Sequence, residues 1–400
     1  MSTFVGFGFG AIQSGLFLPV AHESGSFNRL VVSEIDQETV SQIRKANGCY
    51  SFNIAEKDRL VSKTISGIEV FNPLVPEDRI ELVKAIAEAQ EMCTALPSFK
   101  LYDQGVSSVA KIISEGLKIK FESKDLPSAV IYAAENDARA AERLKNSCSL
   151  YISDIPDNRV VFSETVIAKM CSVVSDRDRI MNEDLVTLVD DFEKAVLVEA
   201  YDRIIIEDRV PINFNRGLKK FSTQSDLEPF ALTKFLGHNA MHALMGLIAK
   251  EEGISFMHEV GNRTDLMQTV KSSFLEEAGV GLRYKYINVE DVLFSENGFF
   301  HYAEDALIRM VNPFLRDPVD RVTRDPVRKV GWNDRLIGSM KLSLRAGVEP
   351  KILAKGAFLG LKFACSENNW PSVNYAMGEI WKSVPFKEQD KIRELILASS

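Results

Sequence analysis

Close to its start the chain passes from an apolar run, Thr3-Phe-Val-Gly-Phe7, through the turn Gly8-Phe9-Gly10 into a helical pattern that opens at Ala11. A strand that enters a helix through two glycines restricts the fold, and the first half of the chain keeps repeating the alternation. Strands are expected over 3–7, 30–34, 92–96 and 128–133, helices over 11–22, 37–45, 77–91 and 106–116, and a β excursion over 49–72. Strands alternating with helices at this spacing predict a doubly wound, mostly parallel Rossmann-type sheet. From about Asp226 onward the pattern becomes helical, over 229–250, 266–285, 301–310, 334–346, 350–364 and 385–398, with glycines and prolines between most segments. The expected class is therefore an α/β amino-terminal domain, 1–205, followed by a mainly helical domain, 206–400.

Four hundred residues are more than one ordinary core organises, in keeping with two domains. The net charge of −8 argues against a nucleic-acid partner. Cys49, Cys93, Cys148, Cys171 and Cys365 have no short paired spacing, as free thiols of a reducing cytoplasm would. The apolar stretch from Phe4 to Val20 lacks the basic flank of a secretory signal, since no Lys or Arg precedes Arg29. No uncharged run reaches the roughly 20 residues that cross a bilayer. A cytoplasmic protein with no membrane partner is expected.

The glycine turn has a chemistry of its own. Gly8 permits a tight turn, Gly10 lets a pyrophosphate approach the backbone, and the helix opened by Ala11 and Ile12 offers unpaired N–H groups and partial positive charge. Gln13 stands where the usual third glycine would be, which implies slightly wider packing of helix on strand. Glu34 ends the second strand, where an acid accepts from the adenosine ribose and repels a 2′-phosphate, so NAD is favoured over NADP. Asp36 is its rival for that role. Thr94, in the strand 92–96, is the remaining expected cofactor contact.

In the second half, one apolar helical stretch, 232–246, carries Lys234, Asn239 and His242. On a regular α-helix Asn239 lies roughly 140° and His242 roughly 80° round from Lys234, so all three project from one side. An amine that can give up its proton, beside two hydrogen-bonding groups, suits proton movement on a hydroxyl or carbonyl. Taken singly, such residues on amphipathic helices are mostly surface groups. His238 and His242, four apart, also suggest zinc, but Asn239 occupies the place of the metalloprotease glutamate and no third ligand is evident, so no metal is expected.

The spacing Lys-x4-Asn-x2-His, the glycine turn, Ala134-Glu-Asn136, Phe274-Leu-Glu-Glu-Ala-Gly279 and the block from Asn312-Pro-Phe-Leu-Arg-Asp-Pro-Val-Asp-Arg321 through Arg324-Asp-Pro-Val-Arg-Lys329 to Asp334-Arg-Leu-Ile337 recur together. In this the chain resembles the polyol-specific long-chain dehydrogenase family over nearly its whole length. The resemblance implies Lys234 as general acid/base, Asn136 and Asn239 as holders of the developing alkoxide, and His242 as an orienting group for substrate hydroxyls. It further implies metal-independent hydride transfer with NAD and a monomer. The substrate pair it suggests is a hexitol phosphate, mannitol 1-phosphate, and a ketose phosphate, fructose 6-phosphate. Arg324, Arg328, Lys329 and Arg335 are the candidate substrate-phosphate group; pairing with Asp317, Asp320, Asp325 and Asp334 is their structural alternative. Three positions depart from the family: Gln13, Ala168-Lys169 in place of an Asp-Arg pair, and Met241 in place of a small residue, where it is expected to crowd the pocket wall. A dehydrogenase of free mannitol or of a hexuronate, and a catalytically silent sensor of dinucleotide and sugar phosphate, are the alternatives these departures motivate.

Overall fold

The computed structural model describes residues 2–137, 139–201 and 203–399, which divide into two compact units on either side of the Leu227–Glu228 bond. The first unit contains β1 (Thr3–Phe7), β2 (Arg29–Ser33), β3 (Tyr50–Ala55), β4 (Leu60–Ile65), β5 (Ile68–Phe71), β6 (Ala89–Thr94), β7 (Ala129–Ala133), β8 (Val160–Val166), β9 (Cys171–Val174), β10 (Ala195–Glu199), β11 (Ile205–Glu207) and β12 (Ser222–Gln224). Its main sheet has the order β12-β11-β8-β7-β6-β1-β2-β5, and the run from β8 to β5 is parallel throughout. Every residue of β1 is buried, as expected of a strand covered on both faces. Phe4 packs with Phe17 and Tyr132 on one face; Val5 and Phe7 pack with Ile86, Ile113 and Leu117 on the other.

Counted along the chain, the parallel strands wind outward in two directions from β1 and β6. Such a reversal opens a crevice at the carboxyl ends of the strands, where ligands of this architecture bind. The 49–72 excursion divides: β3 and β4 join β9 and β10 in a second sheet, ordered β4-β3-β10-β9, while β5 returns to the edge of the main one. β11 pairs antiparallel with β8 and parallel with β12, so the main sheet continues past residue 205.

In this first unit two helix boundaries depart from the pattern by three residues or more. The helix expected over 77–91 ends at Glu88, and β6 begins at Ala89. Glu91 looks like a solvated helix residue, yet it is buried, accepting from the Tyr132 hydroxyl at 2.8 Å and from the Gly217 N–H. The helix expected over 106–116 runs instead over Val109–Glu122, because the Ser108 hydroxyl caps it by accepting from the Lys111 N–H.

The second unit is helical. The 229–250 pattern is one helix in three parts: Glu228–Thr233, a wide π segment at Lys234–His238, and Asn239–Glu251. The 266–285 pattern repeats the device, with Thr264–Ser272, a π segment at Ser273–Ala278, and Gly279–Lys285. Glu277, on that second segment, is buried and accepts from the N–H groups of Ile352 and Leu353 at 2.7 and 2.9 Å. It thereby caps the helix Lys351–Asn368, where unpaired amides favour an anion. Trp381, fully buried, donates its indole N–H to Val330 O at 2.8 Å and ties the carboxyl-terminal helices to the 326–330 turn. Among the described residues no helix is long and apolar enough to cross a membrane.

Candidate active site

In the first unit the predicted cofactor residues gather at the carboxyl ends of β1, β2 and β6. Gly8 has φ +83°, a left-handed conformation that costs an L side chain energy, and its N–H donates to Ser33 O at 2.8 Å. A Cβ on Gly10 would meet no protein atom nearer than Ala95 O, at 3.9 Å. Room is therefore left above the turn for a group that approaches the backbone. Ala11 is buried and Ile12 half-buried. Glu34 follows β2, its Oε2 accepting from the Phe9 N–H at 2.7 Å and its Oε1 from the Asp36 N–H at 2.8 Å. Both bonds fix the carboxylate beside the turn and leave lone pairs for a further donor. Asp36 has other work: it caps the helix Gln37–Lys45 and pairs with Lys194 at 2.8 Å. The Lys194 and Thr39 hydrogen bonds hold its carboxyl down at about 2.

Gln13 is fully buried, and neither amide atom has a hydrogen-bond partner among the described residues. A Cβ on Gly6 of β1 would fall 2.3 Å from Gln13 Nε2. The missing helix glycine is thus matched by a strand glycine, and the helix widens into a π segment, Gln13–Phe17, at the same place. Thr94 is buried and gives its hydroxyl to Glu135 Oε2 at 2.9 Å. Glu135 also accepts from the Leu96 N–H at 2.8 Å and from the Tyr102 hydroxyl. Burial pushes its carboxyl up, outweighing those bonds. Its neighbour Asn136 is exposed just past the carboxyl end of β7. At the substituted pair, Lys169 donates to the carbonyls of Glu199 and Tyr201.

In the second unit, Lys234 opens the first π segment, and the Asn239 N–H donates to its carbonyl. That i→i+5 bond corrects the angle expected of a regular α-helix. The wide turn makes Asn239 the near neighbour of Lys234, as i and i+4 are on an α-helix. Lys234 and Asn239 are half-buried. His242 Nε2 lies 3.5 Å from Asp317 Oδ2. His238 is buried and stacks edge-on to His242, with ring centroids 6.3 Å apart. Burial, then the charges of Arg309, His242 and Lys234, push the His238 imidazole well below its usual range. Met241 is fully buried and belongs to the core of this unit.

The four candidate phosphate-binding cations occupy the turns beside this helix. Arg324 and Arg328 are exposed, Arg335 half-buried and Lys329 buried. Arg328 pairs with Asp325 and Arg335 with Asp334, each at 3.0 Å. Lys329 donates to Arg324 O. Burial and the charges of Arg335 and Arg328 hold its amine down at about 8. The cluster abuts the lysine segment: the Arg335 guanidinium sits 5.5 Å from the Phe235 ring centroid, and the Ser339 hydroxyl donates to Leu236 O.

Residues 2–218 match the family described as mannitol dehydrogenase Rossmann domain, and residues 226–398 match mannitol dehydrogenase C-terminal domain. The chain belongs to the mannitol dehydrogenase family. As a member it is an NAD-dependent polyol dehydrogenase. It is 28% identical to the mannitol-1-phosphate 5-dehydrogenase of Thermoanaerobacter pseudethanolicus, over 91% of this chain and 86% of that protein. With the enzyme of the same name from Bacillus licheniformis it shares 26%, over 90% and 88%. A substrate-free D-sorbitol dehydrogenase shares the fold at 11% identity, with a TM-score of 0.78 over 99% of this chain and 92% of that one. So does the mannitol 2-dehydrogenase of Pseudomonas fluorescens, in a ternary complex with NAD and D-mannitol, at 13% identity and a TM-score of 0.69 over 95% and 84%.

The turn of this mannitol dehydrogenase family member fits a dinucleotide in its own residues, through the left-handed Gly8, the open space over Gly10 and the fixed carboxylate of Glu34. The sequence reading gave Glu135 no role and offered Asp317 only as a partner for the four cations, whereas it pairs with Arg321 and lies beside His242. Glu135 and Asp317 both lie inside the motifs that carried the resemblance, but only folding shows what each one holds.

Proposed function

We propose that this dehydrogenase interconverts mannitol 1-phosphate and fructose 6-phosphate, with Lys234 as the general acid/base. The observation that carries the choice of a phosphorylated substrate is the cluster of four cations against two carboxylates, packed onto the segment that bears Lys234. Two relatives named for mannitol 1-phosphate support it. NAD, when bound, supplies the hydride acceptor. Gly8, Gly10, Ala11, Ile12, Glu34 and Thr94 form its site, Glu34 favouring the unphosphorylated ribose.

In the direction of oxidation Lys234 takes the proton of the reacting hydroxyl as the carbon loses its hydride. Asn239 donates an amide N–H to the oxygen as it gains charge, contributing on the order of 3 kcal/mol; the family resemblance implies the same role for Asn136. His242 orients the neighbouring hydroxyls. Arg324, Arg328, Lys329 and Arg335 take the phosphate, with guanidinium forks suited to its oxygens. In this reading the protein works as a cytoplasmic monomer, the location supported by its five free cysteines.

The test is NADH formation with mannitol 1-phosphate and with free mannitol, side by side. The phosphate ester is expected to win in kcat/KM by at least ~10-fold, about the contribution of one charge-assisted contact. That margin should shrink in Arg328→Ala. Equal turnover of both polyols, or preference for mannitol or a hexuronate, overturns the phosphate assignment. NADH binding without turnover on any of them overturns Lys234 chemistry as well.

A further inference from the structure

His242 does not stand alone on its helix. Its Nε2 is buried, has no well-formed hydrogen bond, and lies 3.5 Å from Asp317 Oδ2. The side chain keeps 15% of its surface exposed, and Nδ1, unlike Nε2, is not a buried atom without a partner. Asp317 is itself only 7% exposed and takes both the Nε and an Nη of Arg321. That fork fixes the carboxylate in place and in plane. Burial alone would raise its pKa, but the His242 and Arg321 contacts prevail and hold it at about 2. An anion is thus present beside Nε2 throughout the working pH range.

A neutral imidazole carries one proton, on either Nε2 or Nδ1, and its other nitrogen is an acceptor. With a permanent carboxylate facing Nε2, a lone pair there would meet another lone pair in a buried space. The proton belongs on Nε2, and the lone pair is left on Nδ1.

We propose that Asp317 is a positioning residue of the polyol reaction: it keeps the His242 proton on Nε2, so that Nδ1 accepts from a substrate hydroxyl. The inference rests on the polyol reading above and adds a direction to it. A carbonyl oxygen cannot donate to Nδ1, so the group recognised there is a hydroxyl next to the reacting carbon, present in alcohol and ketone alike. Arg321 acts one step further out, holding Asp317.

The test combines a spectroscopic and a kinetic measurement on the full chain. With the histidines labelled by nitrogen-15, His242, assigned by its loss in His242→Ala, should show a protonated Nε2 and an unprotonated Nδ1 at pH 8. Asp317→Asn should mix the two tautomers. The same substitution should raise KM for the polyol by about tenfold, the loss of one hydrogen bond, with NADH affinity unchanged. In a His242→Ala background Asp317→Asn should change KM no further. A proton found on Nδ1 in the unaltered protein overturns the proposal, as does an equal KM effect with and without His242. Should Asp317→Asn fail to fold, the tautomer of the unaltered protein decides alone. A protein that turns over no polyol sinks the polyol reading, and the tautomer measurement still reports on Asp317.

Discussion

Glu34 Oε2 accepts the backbone N–H of Phe9 at 2.7 Å, joining the acid after the second strand to the glycine turn itself. The carboxylate is fixed beside the turn, so the ribose contact proposed for it would cost little side-chain entropy on binding. Glu34→Ala should therefore weaken NADH by about tenfold or more and leave NADPH affinity unchanged or better. Fluorescence titration of both reduced dinucleotides measures this, and an unaltered preference for NADH would show that Glu34 does not read the ribose.

Lys234→Ala should separate binding from chemistry. Turnover is expected to fall by about 10²–10⁴-fold, the usual contribution of a positioned acid/base. NADH should bind as before, because Lys234 is not among the residues proposed to hold the dinucleotide. Single-turnover hydride transfer at the unaltered rate would remove the lysine from the mechanism.

The contact of Gln13 with Gly6 predicts a compensating pair. In Gly6→Ala the new Cβ would stand 2.3 Å from Gln13 Nε2 and 2.5 Å from its Cδ. Gln13 is fully buried, so its amide could move only within packed surroundings. A loss of about 1–3 kcal/mol is expected from overpacking, read as a lower Tm. Adding Gln13→Ala should recover most of it, since the two changes share one space. Additive losses would mean that the strain lies elsewhere.

Asp317 makes stability depend on acid. Its carboxyl sits at about 2 in the folded protein against an ordinary 3.8, so its contribution is complete above pH 4. It is lost as pH falls from about 4 to about 2, where the unfolded chain binds the proton first. Roughly 2 kcal/mol is at stake. Denaturant titrations from pH 5 to pH 2 should show Asp317→Asn losing less stability on acidification than the unaltered protein. Parallel curves would show that other carboxylates dominate.

Much of this was legible in the sequence because it is local. The glycine turn, Glu34 and the alternation of strands with helices are written in neighbouring residues, and they fall where expected. Lys234, Asn239 and His242 could be placed on one helix by spacing alone, but not the π turn that brings Asn239 round to Lys234, which no residue type marks. What stayed hidden depends on partners far along the chain. Glu91 passes for a solvated helix residue until Gly217 donates to it in the core. Glu135 and Asp317 are ordinary acids until Thr94, Tyr102 and His242 close around them. The glycine that makes room for Gln13 lies seven residues earlier, on the opposite element of the turn.

The wide turn at Lys234–His238 amounts to one residue more than a regular helix would hold. Deleting any one of Phe235, Leu236 or Gly237 would let the helix close into ordinary hydrogen bonding. Asn239 would then stand four residues from Lys234 on a regular helix, so the two would keep one face and the apolar stripe from Ala240 to Ala249 its inward side. Inserting a residue, by contrast, would carry everything downstream round by about 100°. This segment therefore bears the loss of a single codon far better than the gain of one.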